Sequence, residues 1–204
     1  MILTELEAVA PQALPLAGLR AHLRLPVMAE PGPGDAEEAQ ALEGALRAAL
    51  AAIEARTAKV LMGRPFRLGL SHWRGGGAQP LPVAPVSGII ALVLRSADDN
   101  ATTVAPESYR LEQDQHRPRL VARGVLLPSI PRGGRAEIDF TAGFGPDWGD
   151  LPDDLARAVF LLAAQYFEER HGGAGHAAGA ALPFGVEALI ARWRTVRLLG
   201  GAAR

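Results

Sequence analysis

The stretch from Glu137 to Arg170 constrains this chain more than any other, because it joins a strand to a long helix through a turn that allows neither to continue. Ala136, Ile138 and Phe140 fall on one face of an extended segment, with Arg135, Glu137 and Asp139 on the other, which is the period of a half-buried strand. Gly143 and Gly145 then admit backbone angles that other residues avoid, and Pro146 stops the strand. Pro152 suits the first position of a helix, and Asp153 and Asp154 place negative charge on its first turn. Leu155, Val159, Phe160, Leu161, Leu162, Tyr166 and Phe167 make the helix apolar on nearly every side. Such a helix needs cover all round, from its own domain and from a neighbour. Leu155, Val159, Phe160, Leu162, Tyr166 and Phe167 are therefore candidate subunit-interface residues.

Upstream, Pro15 opens a first helix striped with Leu16, Leu19 and Leu23, and Pro26 ends it. Residues 1–14 show no clear periodicity, and 26–34 form a linker. Asp35 is a suitable N-cap for a second helix that runs to about Leu61, with Leu42, Leu46, Leu50, Ile53 and Val60 as its buried face and Gly63 as its C-cap. Strands are expected at 66–73, at 89–94, near Tyr109 and Leu111, near Leu120 and Val121, and at 135–141. The 89–94 run is apolar on both faces, so it is expected at the centre of its sheet. Residues 75–80 read as a loop and 97–100 as a turn.

The fold class is α+β: a helical frame of two N-terminal helices, one long helix and one C-terminal helix, with a small antiparallel β region inserted. The expected division is a helical part at 1–65, the β region at 66–145, the long helix at 146–172, and a tether with a docking helix at 173–204. The tether, HGGAGHAAGAA, is flexible by composition. The closing helix, about 185–198, carries Val186, Leu189, Ile190, Trp193 and Val196 or Arg197 along one face and Arg192, Arg194 and Arg197 on its polar side. A basic amphipathic helix on a tether is a recurrent docking device, which makes Val186, Leu189, Ile190, Arg192, Trp193, Arg194 and Arg197 docking candidates. The alternative is a surface helix with Trp193 packed into the core.

Chemistry finds little support. With no cysteine among 204 residues, disulfides and thiolate metal sites are excluded. His171 and His176, with Glu168 and Glu169 nearby, are the raw material of a metal-dependent hydrolase, but a glycine-rich linker separates the two histidines and no further ligand is apparent. Asp147, Asp150, Asp153 and Asp154 suit capping and dipole compensation better than a cation site. Ser71 and His72 should point to opposite faces of a strand, which defeats a direct pair. No phosphate loop or G-x-S-x-G is present. No catalytic residue, metal or cofactor is expected. A formal net charge of −1 argues against a general nucleic-acid binder. The first residues have acids where an export signal needs bases, and no apolar run is long enough to span a bilayer, so a chain made in the cytoplasm and not bound to membrane is expected.

Several short motifs, in order, resemble the head–tail connector (adaptor) proteins of tailed phages. They are Leu19-Arg20-Ala21-His22-Leu23-Arg24-Leu25, Asp35, and the run from Ala48 to Thr57, after which the usual Gly is Ala58. The longer members are matched by Pro82-Val83 and Pro85-Val86 before an apolar strand, Tyr109, Thr141 to Gly145, Leu151-Pro152, Tyr166 to Arg170, and Leu182 to Val186. The resemblance implies a non-catalytic ring, commonly of twelve copies, in the neck of a virion made in a bacterial cytoplasm. Such a ring sits under the portal protein, extends the DNA channel without binding DNA specifically, and receives a stopper or tail protein. Gene transfer agents use similar parts, and another neck component, such as a stopper or tail-completion protein, is the neighbouring possibility. The resemblance implies the portal as the partner of the terminal helix, and removal of 183–204 is expected to leave a folded chain that cannot join heads.

Overall fold

The computed structural model describes residues 1–26, 34–169 and 182–194. After a short strand β1 (Ile2–Glu5) come α1 (Leu16–His22) and α2 (Asp35–Thr57). Asp35, Glu37 and Glu38 sit in the first turn of α2, where negative charge offsets the helix dipole; the N-cap itself is Gly34, and Asp35 is the first helical residue. The helix stops at Thr57 rather than Leu61. Ala58 turns left-handed (φ 55°), and its N–H still reaches Glu54 O. Beyond it the chain bonds outward instead of along the helix: the Val60 N–H donates to Ala84 O, and the Leu61 N–H to Glu54 Oε1 at 2.7 Å. Gly63 is no helix cap. Its N–H meets Gly145 O at 2.7 Å, and a Cβ there would lie 2.9 Å from that oxygen. Gly143, at φ 130°, crosses the same point, so the backbone passes at a distance no side chain allows.

The β region holds β2 (Arg64–Leu70), β3 (Ala78–Pro80), β4 (Val86–Arg95), β5 (Ala101–Thr103), β6 (Tyr109–Glu112), β7 (Arg119–Ala122) and β8 (Arg135–Ala142). Five strands form one antiparallel sheet in the order β1-β2-β8-β4-β5, and three form a second in the order β3-β7-β6. The central strand is β8, not the apolar run at 89–94. Register shifts between Ile89 and Ala91 break the alternation of β4, and Ile90 is left 59% exposed. The N-terminal residues, too short to show a period, are an edge strand on β2, and part of the glycine-rich loop is β3.

Two apolar cores result. One packs α1, α2, α3 (Asp153–Glu169) and α4 (Phe184–Ile190), with Leu19, Leu42, Leu46, Ile53, Leu155 and Leu162 inaccessible or nearly so. The other lies under the five-stranded sheet, where the inward residues Phe66, Leu68, Leu70, Ala136, Ile138 and Phe140 meet across β2 and β8. Helices and sheets thus form an α+β fold in which β2 to β8 lie between α2 and α3 and β1 precedes α1.

Candidate docking surfaces

The terminal segment is seated on its own chain. Leu182, Val186, Ile190 and Trp193 belong to the helical core, and Leu189 packs against it. After α4 a single 3₁₀ turn (Ala191–Trp193) aims the indole inward. Trp193 Nε1 donates to Asp154 Oδ2 at 2.8 Å, and Arg192 Nε reaches the same oxygen at 2.7 Å. The Arg192 guanidinium lies 4.7 Å from the Trp193 ring centre, and the indole meets Phe144 edge-on at 5.4 Å. Burial pushes the Asp154 carboxyl up, but the bonds from Trp193 and Arg192 outweigh it and hold the group below its ordinary value. Arg194 bonds Glu187 at 3.1 Å, and Arg197 lies outside the described residues.

The apolar stripe read from the sequence therefore faces inward. The outward face of α4 carries Phe184, 88% exposed, followed by exposed Ala188 and Ala191 at helical spacing, with Arg192 at its edge. Phe184 was legible. It starts a second stripe at i, i+4 and i+7, hidden because the helix begins one residue earlier than the glycine suggests.

On α3 the chain supplies most of the cover itself. Leu155, Val159, Leu162 and Phe167 are buried in the helical core. Phe160 and Tyr166 are half-buried. The Phe160 ring lies 5.9 Å from His22 and 5.0 Å from Trp148, and α1 comes so close that a Cβ on Gly18 would sit 2.9 Å from it.

The β region differs. Large apolar side chains stand in solvent at Ile2 (71% exposed), Val125 (89%) and Leu126 (67%). On the outer face of β8, Arg67 grips Asp139 through two bonds of 2.7 Å, and Glu137 takes Arg95 at 2.9 Å and Arg135 at 2.8 Å. Burial opposes the charge on Glu137, but the two arginines keep it ionised below its usual range. Between the halves, Lys59 is almost wholly buried. Its Nζ donates to Gln115 O and lies 3.0 Å from His116 Nδ1. Burial lowers the Lys59 ammonium and the His116 imidazole alike, and their mutual repulsion lowers His116 further. The Asp114 carboxylate accepts the backbone N–H groups of His116 and Arg117, which close the turn.

The chemical alternatives gain nothing from this geometry. Asp147 and Asp150 form a reciprocal capping box, and Asp154 is committed to the terminal segment. Among the described residues no group of three or more acids and histidines is placed to hold a metal ion. His171 and His176 lie outside the described residues, while Glu169 accepts a bond from Gln165. One expectation was wrong: Ser71 Oγ and His72 Nδ1 lie 3.1 Å apart. The strand ends at Leu70, so alternation no longer separates them. Both are exposed on a bend, without the enclosing site that an activated nucleophile needs. No described helix is long and apolar enough to cross a membrane.

No protein-family model matches the chain, and neither does any curated protein. Solved structures do. A chain in the neck of an empty gene transfer agent (GTA) particle, with C6 symmetry, is 57% identical and superposes with a TM-score of 0.86 over 98% of this chain and 99% of that one. A chain in the neck of the native particle, with C12 symmetry, is 55% identical (TM-score 0.82) over the same shares. A chain in the virion of the native particle is 57% identical (TM-score 0.84), again over 98% and 99%. This chain belongs to the neck proteins of gene transfer agents. In such a neck protein an exposed apolar group has a ready explanation. A subunit of a rotationally symmetric ring presents two unlike faces to its neighbours.

Proposed function

We propose that this neck protein is the structural head–tail adaptor of a phage-like particle, part of the virion, and repeated as a ring of identical copies. The observation that carries the reading is identity above half over essentially the full length to chains of a symmetric GTA neck. The role is mechanical and involves no catalysis. Twelve copies extend the DNA channel beneath the portal protein and receive a stopper or tail protein on the other side.

In this reading the portal contact is made by the outward face of the terminal segment: Phe184, Ala188 and Ala191, with Arg192 and Arg194 at the rim. Val186, Leu189, Ile190 and Trp193 hold that face in place from behind. Phe160 and Tyr166, the half-exposed members of the α3 set, meet the adjoining copy, supported by Leu155, Val159, Leu162 and Phe167. DNA passes without specific binding, because a chain of net charge −1 has no overall excess of cations to draw phosphate.

Removal of 183–204 is not a clean test, since it would strip Val186, Ile190 and Trp193 from the core. Phe184→Asp is better, because that side chain is exposed. Particles assembled with it should yield DNA-filled heads without tails, counted by electron microscopy. Normally tailed particles would refute the assignment of this face.

A further inference from the structure

The β region carries a rigid apolar knob at one end and an open groove at the other. The knob is Val125 and Leu126. Its backbone is fixed: the Leu127 N–H donates to Gly76 O at 2.8 Å, Trp73 Nε1 to Pro128 O at 2.8 Å, and the Ala122 N–H to Gly77 O at 2.9 Å. Leu127 itself is buried, so the two exposed side chains ride on an anchored loop. An apolar pair already held in one conformation loses little freedom on docking.

The groove, about 470 Å³, is lined by Pro85, Val86, Ser87, Gly143, Phe144 and the polar run 113–115. The seven side-chain carbons of Val125 and Leu126 need roughly 200 Å³ at the ~30 Å³ that a water occupies in the liquid. By volume the groove can take both side chains.

Strand direction places the two at opposite ends. At the knob end Leu70 pairs with Ala136 and Tyr109 with Ala122. At the groove end Val86 pairs with Ala142 and Glu112 with Arg119. The strands between the two ends, four residues in β7 and eight in β8, hold them apart by roughly 10–25 Å at ~3.3 Å per residue. A knob and groove so placed cannot meet within one copy. They match between copies related by a rotation, the heterologous contact that closes into rings.

We propose that the Val125–Leu126 knob of one copy seats in the Pro85–Val86–Phe144 groove of the next, linking subunits head to tail around the neck. This rests on the ring-forming reading above. The chain has no cysteine, which makes the test direct. Particles are assembled with Leu126→Cys, with Ser87→Cys, and with both, then treated with a short bismaleimide and resolved on a denaturing gel. The double variant should give a ladder of covalent oligomers of this chain, while each single variant stays monomeric. Gln113→Cys replaces Ser87→Cys if the latter impairs assembly. Monomer alone in double-variant particles that contain the chain by mass spectrometry would overturn the contact and leave the neck reading intact. So would cross-linking of Leu126→Cys to a different virion protein. Absence of the unaltered chain from purified particles would overturn both.

Discussion

Phe184 apart, the helical half of this protein hides its large apolar side chains, and the β half leaves several of its own in water. In the helical half α1, α2, α3 and α4 close on one another, and side chains that look too greasy for one copy are inaccessible: Leu155 and Val159 are 0% exposed and Leu162 1%. In the β half the sheet has a well-filled underside, yet Ile2, Ile90, Val125 and Leu126 are left in water. Hydrophobicity along the chain marks where burial is needed, not who supplies the cover. The interface signal is the apolar residue still exposed once the fold is complete.

The largest expected effect puts this contrast at risk. Leu162→Ala removes a fully buried side chain from the helical core and should cost about 2–5 kcal/mol of unfolding free energy. Leu126→Ala should change the stability of the free chain by no more than about 0.5 kcal/mol, because its side chain is already in water. Denaturant unfolding of the two variants decides it. Comparable losses would mean that the loop is part of the fold rather than a contact offered to others.

Next is the polar face of β8, where the β half spends charge as the helical half spends leucine. Glu137→Gln keeps the shape but leaves Arg95 and Arg135 facing a neutral acceptor in a nearly buried place. A loss of about 1–3 kcal/mol is expected, smaller in high salt because the arginines are partly exposed. No change in stability would show that these ion pairs only decorate the sheet.

A smaller effect concerns the seat of the terminal segment. Asp154 is held below its ordinary value of 3.8, so it binds its proton more weakly folded than unfolded. Its contribution is fully present above that value and is lost as pH falls through the lower, folded one. Acidification below the ordinary carboxylate value of 3.8 should therefore loosen Trp193, read as a rise in indole exposure by fluorescence quenching, with a cost of about 1–2 kcal/mol. Asp154→Asn should show the loosened signal at neutral pH and no further acid step. An acid step that survives in Asp154→Asn would assign it to another carboxylate.

Much of this was legible because period and punctuation are local. The strand at 135–142, the start of α3 after Pro152, the long α2 and the short strands at Tyr109 and Leu120 all follow from spacing and breakers. What failed depends on partners distant in sequence. β4 looks like a central strand, yet only the pairing with β8 decides which strand is central. β1 has no period of its own and exists because β2 offers an edge. The buried Lys59 is invisible without the turn at Gln115 and His116 that satisfies it. The stripe of Val186, Leu189, Ile190 and Trp193, expected to face a partner, meets the core instead, since nothing in a single helix says which of two apolar stripes does so.

The hinge between the halves gives the finest test. Ala58 ends α2 in the left-handed region, at the position where the adaptor resemblance leads one to expect Gly. A Cβ there costs roughly 1–2 kcal/mol, whereas Gly adds backbone freedom to the unfolded chain worth about 0.5–1 kcal/mol. Ala58 is exposed, so its methyl adds little burial to offset the strain. The difference predicts that Ala58→Gly stabilises the chain by about 0.5–1 kcal/mol, measured as a higher denaturant midpoint at unchanged slope. Loss of stability instead would mean that the stiffness of alanine is what keeps Thr57 and Lys59 in register with Ile53 O and the β6–β7 turn. The two halves would then be joined more tightly than their separate cores suggest.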